Sequence, residues 1–153
     1  MFSGLGANFT MQNTDLEILT QNFKDIDAKS LSPLVLAYIG DAVYEIVARF
    51  MVLSETGNAP VNKLNKKAQG IVNAKAQNDL YFNIENILTE EEMAVFKRGR
   101  NAKSFTTPKN GNLLDYRHAT GLEALFGYLY LLGKTDRIVE LFKAGIGLNN
   151  KGE

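Results

Sequence analysis

Residues 31–50, LSPLVLAYIGDAVYEIVARF, carry apolar side chains at Leu36, Ile39, Val43, Ile46, Val47 and Phe50. A helix can gather that three-to-four-residue spacing on one side, and a strand cannot. Ser32 before Pro33 supplies an N-cap with proline at the first helical position, and Gly57 supplies a stop, so the pattern predicts a helix over 33–54. A second run of the same kind occupies 113–132 and is stopped by Gly133. No segment carries a clear alternation of apolar and polar residues, and there is no internal repeat, so the expected fold class is all-α with these two helices as its core pair.

Shorter elements fill in around them. Thr14 with Glu17 has the form of a capping box opening a helix through about Phe23, and Thr89 with Glu92 repeats the device for a helix that should fade by Gly99. Residues 63–82 read as one helix with Leu64, Ala68, Ile71, Val72, Ala76 and Leu80 inward, and 136–146 as a last amphipathic helix capped by Thr135. Residues 99–112 read as a loop. A chain of 153 residues suits one domain, expected over 14–147 between tails at 1–13 and 148–153.

Composition excludes several chemistries. The chain has no cysteine, which rules out a disulfide framework, a thiolate zinc site and a cysteine nucleophile. Its first residues lack the basic and apolar regions of a signal peptide, and the run ALFGYLYLLG (124–133) is too short to span a bilayer, so a cytoplasmic protein without a membrane contact is expected.

Asp41 and Glu45 stand in the middle of the first apolar helix, and Glu123 stands in the second. A carboxylate among apolar neighbours is costly unless it is paired, hydrogen-bonded or bound to a cation. Glu45 has Arg49 one turn on and is explained by that pair. Asp41 has no basic residue three or four positions away and follows Gly40, whose missing side chain leaves room for a ligand or another backbone. If the second helix brings Glu123 to Asp41, the result is an oxygen-only site of the kind that suits Mg²⁺ with several retained waters. A buried ion pair or helix-end contact is the structural alternative.

The charges balance overall, 17 basic against 17 acidic, but they are segregated. Lys63, Lys66, Lys67 and Lys75 lie in the acid-free window 60–78, and Lys97, Arg98, Arg100, Lys103 and Lys109 in the acid-free window 93–114. Either window is explained by a solvated basic face; together they fit phosphate-backbone contacts and a polyanionic partner. Carboxylates for a cation beside basic surfaces suggest a nuclease. A catalytically silent helical module that binds structured RNA or a ribosomal partner, and a purely protein-binding helical dimer, stay open on residue types alone. His118, the only histidine, has no adjacent acid and is expected to be a surface or hydrogen-bonded residue.

Three strings carry a resemblance. LAYIGDAVYE (36–45) resembles the signature helix of the ribonuclease III family, LEALFGYLYL (122–131) is similar to its later glutamate-bearing helix, and FKRGRNAKSFTTPKN (96–110), with the length and the lack of an appended RNA-binding domain, resembles the small bacterial subfamily Mini-ribonuclease III. The resemblance implies an Mg²⁺-dependent endoribonuclease that cleaves double-stranded RNA in ribosomal RNA maturation, with Asp41 and Glu123 as catalytic metal ligands; Glu45 keeps its structural reading, beside Arg49 or as a supporting group behind them. It implies a homodimer with Tyr38 plugged into the partner subunit, although Tyr38 alone is equally explained by core packing. Arg98, Arg100, Lys103 and Lys109, in a basic loop over 97–109, are expected on RNA phosphates, with Lys66, Lys67 and Lys75 as further candidates. A ribosomal protein is a possible helper. The larger members carry further acids at positions that here hold Leu34, Ala37 and Thr120.

Overall fold

In the computed structural model, which describes Phe23, residues 25–103 and residues 111–150, helix α1 spans Pro33–Thr56. The Ser32 side chain accepts from the Val35 amide at 3.4 Å, and Gly57, at φ 75°, closes the helix by donating to the Leu53 carbonyl. Then follow α2 (Val61–Val72), α3 (Ala74–Ile84), α4 (Glu90–Asn101), α5 (Leu113–Leu131) and α6 (Thr135–Asn150), with short 3₁₀ turns at Ala28–Ser30 and Glu85–Ile87. There is no strand among the described residues, and none of their helices is long and apolar enough to cross a membrane. The fold is all-α.

The core pair is α1 against α5, the most extensive helix contact among the described residues. Their backbones touch. A side chain on Gly40 would land on the Glu123 carbonyl oxygen and lie 2.9 Å from the Gly127 amide nitrogen, and one on Gly127 would collide with the Leu36 carbonyl. Helix α5 also meets α4 closely, though with more room: a Cβ on Gly121 would sit 2.8 Å from the Phe96 carbonyl oxygen, and one on Gly99 2.8 Å from Ala124 Cβ. Helix α5 is therefore the central element, buried almost without a break from Gly121 to Leu129, with the Tyr44 ring between its own Phe126 and Phe142 of α6.

Several expectations need correction. Residues 63–82 are two helices, broken at Asn73, whose Oδ1 accepts from the Ala76 amide at 2.8 Å and whose Nδ2 donates to the Gln69 carbonyl. An asparagine side chain that satisfies the backbone itself competes with the helix it sits in. The helix at Thr89 has its capping box, with Thr89 N to Glu92 Oε1 at 2.9 Å and Glu92 N to Thr89 Oγ1 at 3.1 Å, but it runs past Gly99 to Asn101. Gly99 is buried against α5, and that packing outweighs glycine's weak helix propensity. Lys97, Arg98 and Arg100 accordingly ride on the last turns of α4 rather than in a loop. Helix α6 likewise continues to Asn150, past the expected end at 146, held in part by Asn83 Nδ2 donating to the Gly145 carbonyl at 2.9 Å.

Ile46 and Phe50 also differ from expectation: they are 54% and 64% exposed. The core stripe of α1 runs through Leu36, Gly40, Val43, Tyr44, Ala48 and Val52, so a helix that is apolar nearly all round has a second apolar side. That side joins Tyr130, Ile138 and Val139 along a groove of about 600 Å³. The expected helix from Thr14 with its Glu17 capping box, the tail 1–13, Lys109 and the last residues 151–153 lie outside the described residues.

Candidate active site

Asp41 follows Gly40 in α1, and Glu123 is the α5 residue whose carbonyl oxygen fills the space that Gly40 leaves open. The bare crossing thus brings together the two carboxylates that the sequence singles out. Asp41 is exposed and Glu123 half-buried. Burial, and then the Asp41 charge, push the Glu123 carboxyl up to about 7, against Gln77, which pulls the other way. Beside them Tyr44 is buried and donates to the Ile71 carbonyl at 3.0 Å, and burial and the Glu123 charge together push its hydroxyl well above the ordinary range.

No lysine or arginine among the described residues forms an ion pair with Asp41 or Glu123. A carboxylate whose charge is held at a disadvantage by burial and by a second carboxylate, with no cationic side chain among the described residues to relieve it, fits a divalent cation, and an all-oxygen donor set suits a hard one. No cluster of three or more histidine, cysteine, aspartate or glutamate residues that could hold a metal ion occurs among the described residues, so among them the candidate donor set is these two side chains. Leu34, Ala37 and Thr120 are otherwise engaged or exposed. Ala37 is buried in the packing between helices, Thr120 donates to the Tyr116 carbonyl at 2.9 Å, and Leu34 faces solvent.

Glu45 makes the expected pair with Arg49 at 3.0 Å. Of the basic residues, Arg98 is exposed and donates to the Leu31 carbonyl at 3.3 Å, Arg100 donates to Asn101 Oδ1 at 3.1 Å, and Lys103 is exposed just beyond α4. Lys66 is exposed, Lys67 donates to Thr56 Oγ1 at 3.0 Å, and Lys75 pairs with Asp79 at 3.3 Å, an acid one residue past the acid-free window. His118 is hydrogen-bonded, as expected, but buried: its Nδ1 meets Asn78 Oδ1 among the rings of Tyr81, Phe82 and Phe96, and burial, then Arg100, push its pKa down. Tyr38, at 78% exposed, is no core residue.

One residue of the site escapes the sequence reading. Gln77 is only 4% exposed, donates from Nε2 to the Val72 carbonyl at 2.9 Å, and pulls the Glu123 carboxyl down against the burial that raises it. Its signal is present, since Gln77, Leu80, Tyr81 and Ile84 form the buried stripe of α3 and a glutamine within such a stripe needs a partner.

Residues 34–134 match the Ribonuclease III domain family. The chain belongs to the ribonuclease III family. It is 49% identical to the Mini-ribonuclease 3 of Clostridium tetani over 140 residues, which cover 88% of this chain and 93% of that one. It is 38% identical to the Mini-ribonuclease 3 of Staphylococcus aureus over 132 residues, covering 85% and 98%. An X-ray structure of a Fusobacterium nucleatum protein superposes with a TM-score of 0.71 at 35% identity, covering 82% of this chain and 99% of that one. The part of the chain matched to the ribonuclease III domain begins at Leu34 and ends at Lys134, and so contains the crossing, both carboxylates, Gln77 and the basic end of α4.

Proposed function

We propose that this ribonuclease III family protein is an endoribonuclease that hydrolyses double-stranded RNA with Mg²⁺ held by Asp41 and Glu123. The observation that carries the reading is the meeting of these two unpaired carboxylates across the Gly40 crossing. The chemistry that such an ion supplies is an activated water and an offset to the charge developing on the phosphodiester. The chain's own contribution is geometric and electrostatic. The Gly40 crossing fixes the two carboxylates, and Glu123, with its carboxyl near 7, gives up its proton as the site fills. Water adds at phosphorus and the bond to the 3′ oxygen breaks, leaving a 5′-phosphate on one fragment and a 3′-hydroxyl on the other.

Arg98, Arg100, Lys103 and Lys109 hold flanking phosphates, with Lys66 and Lys67 on a second basic surface; Lys75, shared with Asp79, contributes less. Glu45 supports the α1 face through Arg49. Two copies act together, which suits the two-fold backbone of a duplex read by shape and phosphates. Exposed Tyr38 and the apolar groove of Ile39, Ala42, Ile46, Phe50, Tyr130 and Val139 support that pairing. The substrate is a ribosomal RNA precursor in the cytoplasm, presented with or without a ribosomal protein. Cleavage of a labelled RNA duplex by the wild type, Asp41→Asn and Glu123→Gln, in Mg²⁺ and in chelator, tests the assignment. Only the wild type in Mg²⁺ should cut, and equal cleavage by all three overturns it.

A further inference from the structure

Arg49 lies in neither basic window, and its bond to Glu45 gives it an ordinary explanation, yet that bond uses little of it. Glu45 Oε1 accepts from Nε alone, at 3.0 Å, and the two Nη groups meet no hydrogen-bond acceptor among the described residues. The Arg49 side chain is 65% exposed. Arg137 shows the contrast: it spends Nε and Nη2 on Glu92, Nη2 also on the Ile87 carbonyl and Nη1 on Glu140, and its side chain is 22% exposed. One guanidinium is closed by its partners; the other is held by one edge, with the rest of its fork unused. Its place on α1 matters more. Residues 41, 45, 49, 52 and 56 follow at steps of three or four and so form one side of the helix. Arg49 stands eight residues beyond Asp41, about 12 Å along the axis, and Thr56 stands about 10 Å further. Thr56 Oγ1 accepts from Lys67 Nζ at 3.0 Å, which brings an exposed α2 lysine to the end of the same side. Arg49 therefore stands between the carboxylate site and the lysines of α2, with a planar set of donors that matches phosphate oxygens.

We propose that Arg49 binds a backbone phosphate of the RNA strand lying over Asp41, and so joins the cleavage site to the basic surface of α2 in one track along α1. Glu45 sets the guanidinium: by holding Nε it fixes the plane and leaves Nη1 and Nη2 for the phosphate. An arginine already tethered in this way loses less side-chain freedom on binding than a free lysine does. The inference rests on the reading of the protein as a nuclease of duplex RNA.

The test is binding of a labelled RNA duplex to the full chain in chelator, over a range of salt, for the wild type, Arg49→Ala and Arg49→Lys, with cleavage in Mg²⁺ as a second readout. An exposed pair one turn apart adds little to stability, so both variants should fold and melt within about 3 °C of the wild type. Arg49→Ala should bind about three- to tenfold more weakly at low salt, and its slope of log affinity against log salt should fall by about 0.9, as for one phosphate no longer neutralised. Arg49→Lys should recover the slope but not the whole affinity, because it keeps the charge and loses the fork. In cleavage, Arg49→Ala should raise KM and leave kcat near the wild type. The same fall in slope should appear when Arg49→Ala is made in a Glu45→Gln chain; a fall seen only with Glu45 in place comes from the uncovered carboxylate and overturns the inference. An unchanged slope in Arg49→Ala, whatever its affinity, also overturns it and leaves the nuclease reading standing. A wild type that neither binds nor cuts duplex RNA overturns that reading, and this inference with it.

Discussion

Glu123→Gln removes a charge that the fold holds at a disadvantage while keeping the size of the side chain. A carboxyl moved from 4.5 to about 7 corresponds to about 3 kcal/mol of disfavoured ionisation, which solvent access at a half-buried site screens to about 1 to 2 kcal/mol. The sign follows from linkage: a carboxyl whose folded pKa lies above its unfolded value contributes stability at low pH and loses it as pH rises through the folded value. In chelator, Glu123→Gln should therefore unfold about 3 to 6 °C above the wild type at pH 8, with the gap closing as pH falls from about 7 toward 4.5. Saturating Mg²⁺ should narrow the gap at pH 8 from the other side, by raising the wild type alone. The variant should meanwhile lose cleavage by ~10³-fold or more, the several kcal/mol expected of a metal ligand. Scanning calorimetry across pH reads the outcome. A variant that melts below the wild type, or at an offset that ignores pH, would refute the claim that Glu123 is held under electrostatic strain.

Other perturbations address the frame and the surface. Gly40→Ala puts a methyl group onto the Glu123 carbonyl and should cost ~3 kcal/mol or more, read as loss of soluble protein or of its denaturant midpoint; a wild-type midpoint contradicts the contact. Arg137 donates twice to buried Glu92, at 2.9 Å from Nε and from Nη2, and its Nη1 pairs with Glu140 at 3.0 Å. Burial alone would raise the Glu92 carboxyl, but the Arg137 bonds and the Thr89 cap outweigh it and hold it below its ordinary value, so this part of the stability is present above pH 4.5 and lost as pH falls through the folded pKa. Arg137→Met should cost about 2 to 3 kcal/mol at pH 7 in urea unfolding and flatten the acid limb. Replacing Arg98 and Lys103 by alanine should weaken duplex binding in chelator and lower the slope of log affinity against log salt by about 0.9 for each phosphate no longer neutralised; an unchanged slope removes them from the RNA surface.

What can be read in the sequence depends on whether a residue's partners are near it in the chain. Thr89 and Glu92 cap each other within one turn, Glu45 meets Arg49 within one turn, and Asp41 stands out because nothing within a turn can neutralise it. Asp41 also has Gly40 beside it, and the backbone that Gly40 admits is that of Glu123 itself. The division at Asn73 is hidden because apolar periodicity runs straight through it, and only the side-chain capping geometry shows that the ladder is interrupted. Ile46 and Phe50 look like core because a helix that is apolar nearly all round does not announce which side faces inward. Arg98 and Arg100 look like loop residues because tertiary packing of Gly99, invisible in local propensity, carries α4 further. Gln77 is inconspicuous because its partner is a carbonyl freed by that break.

Glu123 lies on α5 between Gly121, where α4 presses backbone to backbone, and Gly127, where α1 does the same. Side chains can hop between rotamers and let an interface breathe, but main chains in direct touch have no such slack. The amides of this stretch should exchange with deuterium only when the whole domain opens. Heat should then never produce a folded but disarmed protein: loss of the carboxylate pair and collapse of the helical core are the same event, and the two thermal midpoints should coincide.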